Sequence, residues 1–125
     1  MAALELSARA PRVLLVDDEA VILNCLRQFL EFDGYEVRCA SSGEAALALV
    51  GEGFDLLVTD LALGGVNGYE VAERFRAANP GAKVALLTGW SRTDTCGEAV
   101  DLVLTKPLRS TELLGALREL RGEGE

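Results

Sequence analysis

Short apolar runs alternate with longer segments along most of the chain, and this alternation restricts the possible folds more than any other feature. The runs are rich in valine and leucine, as is typical of buried strands, and several of the intervening segments have helical spacing. The runs occupy residues 13–16, 35–39, 54–58, 83–87 and 102–104. A strand–helix repeat of this kind predicts a parallel sheet with helices on both faces.

Apolar stripes at helical spacing predict four helices that pack on this sheet. Ser41 followed by Glu44 has the pattern of a capping box at the start of the second helix, and the last helix is expected to begin near Ser110. The third helix should end at Asn79, because Pro80 follows it. The stripes are Ile22, Leu26, Phe29 and Leu30; Ala45, Ala46, Leu49 and Val50; Val71 and Phe75; and Leu113, Leu114, Leu117 and Leu120.

The segment between the fourth and fifth strands, residues 90–101, is polar, contains Gly97 and has almost no apolar stripe. We expect at most a short or disordered fourth helix there, which gives about five helices in all. With 125 residues the chain has room for one domain. We expect a flexible leader over residues 1–11, a folded domain over 12–121 and a frayed tail over 122–125.

Charge and composition exclude several classes of function. The net charge of -8 disfavours direct binding to nucleic acid or to an anionic membrane, and the apolar runs are too short to span a bilayer. We therefore expect a cytoplasmic protein. The three cysteines form no CxxC pair, and the absence of histidine excludes Ser-His-Asp and Cys-His catalysis as well as a phosphohistidine in this chain.

Polar residues stand where the predicted strands end. Asp17 and Asp18 follow the first strand, Asp60 the third, Thr88 the fourth and Lys106 the fifth. In a doubly wound parallel sheet the carboxyl ends of the strands meet in the crevice where ligands bind. The five residues are therefore expected to form one site.

The residue types at this site favour metal-assisted phosphoryl transfer. Three crowded carboxylates repel one another unless a cation lies between them, and carboxylate oxygens suit Mg²⁺. A lysine and a hydroxyl beside them would neutralise the oxygens of a phosphoryl group, so Asp60 could act as a nucleophile that forms an aspartyl phosphate.

Each residue also has a simpler interpretation. Asp17 and Asp18 could merely begin a helix, where acidic groups are favoured, and Asp60 could be a turn residue. Thr88 could cap a strand end, and Lys106 could be a solvated charge. Their conjunction favours the site, and Lys106 is one of only two lysines among twelve basic residues, which indicates a need for a compact ammonium.

Four short strings resemble the receiver domains of two-component response regulators. They are Val-Asp-Asp-Glu at 16–19, Val-Thr-Asp-Leu at 58–61, Leu-Leu-Thr-Gly at 86–89 and Leu-Thr-Lys-Pro at 104–107. The resemblance covers residues 13–120 and rests on the order and spacing of all four strings. It implies a flavodoxin-like doubly wound fold with five parallel strands in the order 2-1-3-4-5.

The resemblance implies a magnesium site made by three aspartates and one backbone carbonyl. Asp60 would be the phospho-acceptor and Asp18 a direct ligand of Mg²⁺. Asp17 would act through water, and the carbonyl of Ala62 would also bind the metal. The resemblance assigns no cofactor other than Mg²⁺.

The resemblance also implies a set of residues around the phosphoryl group. Thr88 would donate a hydrogen bond to the phosphoryl oxygens and move on phosphorylation, while Gly89 leaves space beside it. Lys106 would pair with the same oxygens, and a cis peptide bond to Pro107 would fix its position.

The chain departs from the family pattern near the site. Val103 replaces the aromatic residue that usually accompanies the switch threonine, and the interval between the fourth and fifth strands is shorter than usual. Gly64 stands where a proline is common, which predicts a mobile loop. Because Ala62 has no polar side chain to orient water and Trp90 could shield the site, we expect slow loss of the phosphate.

The leading hypothesis is a signalling domain, not an enzyme, that receives a phosphoryl group from a histidine kinase or phosphotransfer protein and then binds partners differently. Residues 100–108 most resemble receiver domains of hybrid sensor kinases.

The alternative is an interaction module with this fold that does not switch. A carboxylate-nucleophile phosphatase is disfavoured, because such enzymes need an acid where this chain has Ala62. The oligomeric state is not predicted.

Overall fold

Five parallel strands form one sheet. The structure is a computed structural model that describes residues 10–89, 99–106 and 109–122. The strands are β1 (Arg12–Val16), β2 (Glu36–Ala40), β3 (Leu56–Asp60), β4 (Lys83–Thr88) and β5 (Leu102–Thr105). Their order in the sheet is β2-β1-β3-β4-β5, which confirms the predicted topology.

Four α-helices lie within the described residues. They are α1 (Ala20–Phe32), α2 (Gly43–Leu49), α3 (Gly68–Ala78) and α4 (Ser110–Leu120), and a short 3-10 turn, Val50–Glu52, follows α2. These are the four helices that the apolar stripes predict. The expected short fourth helix falls on residues 90–98, which lie outside the described residues. None of the described helices has the length and apolar character needed to cross a membrane.

The two faces of the sheet carry separate apolar clusters, because successive side chains of a strand point to opposite faces. On one face Leu14 packs in a cluster with Phe75 of α3 and Ala46 of α2. On the other face Leu15 packs in a cluster with Leu30 of α1, together with Leu113 and Leu117 of α4. Helices thus cover both faces, as expected for a doubly wound fold.

The third strand begins later than the apolar run indicates. Residues 54 and 55 precede the strand, although the Asp55 backbone already hydrogen-bonds to Arg12 of β1 and Lys83 of β4. The Phe54 N–H donates to Oδ1 of the buried Asn79 at 2.9 Å, and Asp55 accepts from the Arg12 N–H through Oδ2 at 2.8 Å. The strand starts at Leu56 and ends at Asp60.

The predicted capping box of Ser41 and Glu44 is wrong. Ser42 is the N-cap of α2: its backbone is extended, and its Oγ accepts from the Ala45 N–H at 3.0 Å. The Glu44 carboxylate lies instead against the loop after β3, where it accepts a long hydrogen bond of 3.4 Å from the Val66 N–H. Two adjacent serines offer the same cap chemistry, and the backbone decides between them.

Candidate functional site

The strand order brings the predicted site residues to one edge of the sheet. Asp60 is the last residue of β3 and Thr88 is the last residue of β4. Asp17 follows β1 directly, and Lys106 follows β5 directly. Because β1, β3, β4 and β5 are consecutive neighbours in a parallel sheet, these four residues lie along the same carboxyl edge.

Three carboxylates converge at this edge. Asp17, Asp18 and Asp60 each offer one oxygen such that the three atoms lie within 4.8 Å of one another. Asp17 is 1% exposed and Asp60 is 8% exposed, whereas Asp18 faces solvent. Two of the three charges are therefore largely removed from water, which is costly unless a partner compensates them.

Asp17 is held by the start of the first helix but keeps one oxygen free of hydrogen bonds. Its Oδ1 accepts from the Glu19 N–H at 2.9 Å, while its buried Oδ2 has no hydrogen-bond partner among the described residues. Glu19 is the N-cap of α1, and the first turn of that helix contains no acidic residue. Stabilisation of the helix terminus therefore accounts for Oδ1 of Asp17 but not for its buried Oδ2.

Lys106 supplies the positive charge of the site. Its Nζ lies 3.3 Å from Oδ1 of Asp60 and 3.6 Å from Oδ2 of Asp17, and its side chain is 27% exposed. Its backbone N–H donates to the Thr88 carbonyl at 2.7 Å, which ties the end of β5 to the end of β4. The Lys106 ammonium thus bridges two carboxylates across the end of β4.

The charges perturb one another. Burial raises the pKa of the Asp60 carboxyl above its ordinary value; the nearby Lys106 ammonium lowers this pKa and the Asp17 carboxylate raises it, and the rise prevails. Burial lowers the pKa of Lys106, but the carboxylates of Asp60 and Asp17 outweigh that effect, so its pKa lies above the ordinary value. Asp60 is therefore costly to ionise, and Lys106 stays protonated at neutral pH.

The donor set fits a hard divalent cation. Three carboxylates face one ammonium within the described residues, so the cluster keeps an excess of negative charge, and the Oδ2 of Asp17 accepts no hydrogen bond there. Oxygen atoms of this kind are what Mg²⁺ binds in proteins. Ala62, whose carbonyl is the fourth predicted ligand, is exposed in the loop after β3, at the second position beyond Asp60.

Gly68, the first residue of α3, supports the site without belonging to its polar cluster. A Cβ at this position would lie 2.1 Å from the Asp60 carbonyl oxygen, so only glycine allows α3 to approach the end of β3. This role is not predictable from the sequence, because the contact depends on how the helix packs. A glycine after the helix-capping Asn67 was the only sequence signal.

Other predicted residues lie outside the cluster or outside the described residues. Thr88 is buried at the end of β4, and a Cβ at Gly89 would meet no atom of the described residues within 4 Å other than its chain neighbours. Val103 lies in β5 and is only partly buried. Trp90 and Pro107 lie outside the described residues.

Comparisons with known proteins agree with this geometry. Residues 13–118 match the family described as response regulator receiver domain. The chain is 39% identical over 120 residues to the alginate biosynthesis transcriptional regulatory protein AlgB of Pseudomonas aeruginosa, covering 91% of this chain and 27% of that protein. It is 41% identical over 120 residues to the virulence sensor protein BvgS of Bordetella bronchiseptica, covering 86% of this chain and 10% of that protein.

Solved structures show the same fold. A receiver domain protein of Methanospirillum hungatei superposes with a TM-score of 0.84 at 30% identity and covers 92% of this chain and 97% of that chain. The response regulator TrrA of Thermotoga maritima, in complex with Mg(2+)-BeF, gives a TM-score of 0.79 at 36% identity and covers 88% of this chain and 98% of that chain. The chain thus spans a small part of the two curated relatives and nearly the whole of these solved domains. It belongs to the response regulator receiver domain family.

Proposed function

We propose that Asp60 accepts a phosphoryl group from a phosphohistidine of a histidine kinase or phosphotransfer protein. The observation that carries this proposal is the placement of the Lys106 Nζ 3.3 Å from Oδ1 of a largely buried Asp60. An ammonium at this distance can pair with the oxygens of a phosphoryl group attached to the same carboxylate. Membership of the receiver family and the sensor-protein relative BvgS support a kinase as the donor.

The proposed transfer exchanges one bond to phosphorus for another. A carboxylate oxygen of Asp60 forms a bond to phosphorus while the nitrogen–phosphorus bond of the donor breaks, and the electron pair of that bond returns to the imidazole nitrogen. The product is a mixed anhydride at Asp60. The Lys106 ammonium pairs with phosphoryl oxygens, and the Thr88 hydroxyl donates a hydrogen bond to them, so charge that develops during transfer is neutralised.

We propose that Asp17, Asp18, Asp60 and the carbonyl of Ala62 hold Mg²⁺. When bound, Mg²⁺ would neutralise the negative charge shared by the carboxylates and the incoming phosphoryl oxygens. The buried Oδ2 of Asp17 supports this assignment, because it accepts no hydrogen bond within the described residues and its ion pair with the Lys106 Nζ is long, at 3.6 Å. The TrrA structure contains Mg²⁺ with a fluoroberyllate group, which supports the same metal here.

Phosphorylation would act on partner binding by reorganising this edge of the sheet. The buried Thr88 lies beside Lys106 and is the residue that would respond to a phosphoryl group. The partly buried Val103 gives β5 no aromatic side chain to follow that movement, an observation that favours the second candidate, a domain that binds partners without switching. Equal affinity of the phosphorylated and unphosphorylated chains for a partner protein would select the second candidate.

Intact mass spectrometry tests the phosphoryl acceptance directly. The chain is incubated with Mg²⁺ and acetyl phosphate, and the native protein is compared with Asp60→Asn and with Asp33→Asn, a control at an ion pair to Arg118. We expect one phosphoryl adduct on the native chain and on the control, none on Asp60→Asn, and loss of the adduct when Mg²⁺ is chelated. An adduct on Asp60→Asn, or none on the native chain with either acetyl phosphate or a phosphorylated kinase as donor, would contradict the proposal.

A further inference from the structure

Burial fixes the register of the fifth strand only in part. β5 pairs with β4 alone in the described sheet, and its apolar residues Leu102, Val103 and Leu104 are all partly buried. A shift of one residue along a strand exchanges the two faces, which is costly only when one face is apolar and the other polar. In β5 a shift of one residue would replace Leu102 and Leu104, which pack against the cluster of Leu15, by Val103 and a polar neighbour. Because these positions are only partly buried, packing fixes the register in part.

The position of Lys106 depends on this register, because the residue follows β5 directly. A shift of one residue moves a strand by about 3.3 Å and turns each side chain to the opposite face. That distance is as large as the 3.3 Å separation between the Lys106 Nζ and Oδ1 of Asp60. A slip of β5 would therefore remove the ammonium from the site.

Asp101 fixes the start of β5 through two hydrogen bonds to one residue of β4. Its N–H donates to the Val84 carbonyl at 2.9 Å, and its Oδ2 accepts from the Val84 N–H at 2.8 Å. Val84 is fully buried at the beginning of β4. One of these two hydrogen bonds uses the Asp101 carboxylate, so it forms only when Asp101 lies opposite Val84. A shift of the strand would break it.

Arg76 holds the Asp101 carboxylate from a third element. Its Nη2 donates to Oδ2 of Asp101 and, at 3.4 Å, to the Ala99 carbonyl. Arg76 belongs to α3, which is fixed to the sheet by the fully buried Phe75. The side chains of Arg76 and Asp101 are 30% and 25% exposed, so this ion pair is partly shielded from solvent.

We infer that Asp101, held by Arg76, is a positioning residue that sets the register of β5 on β4 and thereby places the Lys106 ammonium against Asp60. The Asp101 contacts lie at the start of β5, and Lys106 lies at its end, where its N–H donates to the Thr88 carbonyl. Only the role of Lys106 in phosphoryl transfer rests on the proposed function. The placement itself is measured without phosphorylation.

Acylation of the two lysines measures the placement. The metal-free chain is treated with a limiting amount of acetic anhydride, and the rates at Lys106 and Lys83 are followed by peptide mass spectrometry. Lys83 is the only other lysine; it is exposed, and its N–H is bound to the Asp55 carbonyl, so it serves as the internal reference. The variants are Asp101→Ala, Asp101→Asn and Arg76→Gln. Asp33→Ala is the matched control because it breaks the Arg118–Asp33 pair, away from β5.

In the Asp101 and Arg76 variants we expect a higher ratio of the acylation rate at Lys106 to that at Lys83 than in the native chain. Loss of a charge-assisted hydrogen bond shifts a local opening equilibrium by about tenfold, so Asp101→Ala should raise the ratio by up to that factor. Asp101→Asn should raise it less, because an amide oxygen still accepts from the Val84 N–H, and Asp33→Ala should leave it unchanged even where thermal stability falls.

The inference is overturned if folded Asp101→Ala keeps the native ratio of the Lys106 rate to the Lys83 rate. If Asp101→Ala does not fold, the same result for Arg76→Gln overturns it. An equal rise of the ratio in Asp33→Ala would also overturn it. Phosphoryl acceptance is then measured on the same variants. If the ratio rises but phosphoryl acceptance is unchanged, the inference about Asp101 stands and the role proposed for Lys106 in phosphoryl transfer is contradicted. Failure of the inference and failure of the proposed function are therefore distinguishable.

Discussion

The Lys106 ammonium reaches over the end of β4 to lie 3.3 Å from Oδ1 of Asp60, although the strands that carry these two residues are not neighbours in the sheet. The same Nζ lies 3.6 Å from Oδ2 of Asp17. One side chain therefore joins the ends of β1, β3 and β5. Within the described residues, its charge is the only one in the cluster that opposes the repulsion among the carboxylates.

Removal of this charge should slow phosphoryl acceptance. In Lys106→Met an apolar thioether side chain of similar length keeps the packing but loses the ammonium, and loss of one preorganised charge or donor typically costs about 100-fold or more in rate. The time course of adduct formation with acetyl phosphate measures the effect. Lys83→Met, at the other, exposed lysine, should react at the native rate. Similar rates for Lys106→Met and the native chain would exclude the proposed role.

Replacement of the phospho-acceptor should stabilise the metal-free protein at neutral pH. Burial is the main reason why the pKa of Asp60 lies above its ordinary value of 3.8. The folded state therefore holds this proton more tightly than the unfolded state, and ionisation of Asp60 costs stability as pH rises through its folded pKa. Asp60→Asn removes that cost, and we expect a gain of about 1 kcal/mol.

The pH dependence of this gain checks its cause. Below pH 3.8 the carboxyl is protonated in both states, so the advantage of Asp60→Asn should shrink as pH falls toward that value. Thermal unfolding of both proteins in a chelating buffer at several pH values measures the difference. A gain that stays constant with pH would show that it does not arise from the charge.

Gly68 should not tolerate a side chain. In Gly68→Ala the new Cβ would meet the Asp60 carbonyl oxygen at 2.1 Å, so α3 or the end of β3 must move, which typically costs 1–3 kcal/mol. Gly64→Ala is the matched control, because no atom lies within 4 Å of its Cβ position and its φ is not positive. Chemical denaturation should show a loss of stability for Gly68→Ala alone. Equal losses would contradict the close approach described here.

The two adjacent serines before α2 should differ in their contribution to stability. Ser42→Ala removes the Oγ that accepts from the Ala45 N–H, and loss of an N-cap costs about 1 kcal/mol. Ser41→Ala should change the free energy of unfolding little, because Ser41 is exposed and is not the cap. Urea denaturation of the two variants distinguishes them, and the opposite ranking would restore the capping box that the sequence predicts.

The fold and the composition of the site could be predicted because both follow from rules that act along the chain. Alternating runs define a parallel sheet, and the carboxyl ends of its strands place Asp17, Asp60, Thr88 and Lys106 together. The four family strings add the strand order. The fold and the composition of the site depend on local pattern and topology, so they can be predicted from a single sequence.

The supporting contacts could not be predicted, because they depend on distances between elements. Nothing near Asp101 in the sequence shows that its carboxylate accepts from the Val84 N–H, and nothing near Gly68 shows that it lies against the Asp60 carbonyl. The choice of Ser42 as the helix cap depends on the backbone conformation. Such contacts are set by packing in three dimensions, which overrides local pattern.

Mapping the phosphoryl group to one residue is the most direct test of Asp60 as the acceptor. After incubation with acetyl phosphate and Mg²⁺, borohydride reduces an aspartyl phosphate to homoserine, and peptide mass spectrometry locates the change. We predict homoserine at position 60 and at no other aspartate. Homoserine at position 17 or 18, or an adduct that resists borohydride and maps to Thr88, would show that Asp60 is not the acceptor.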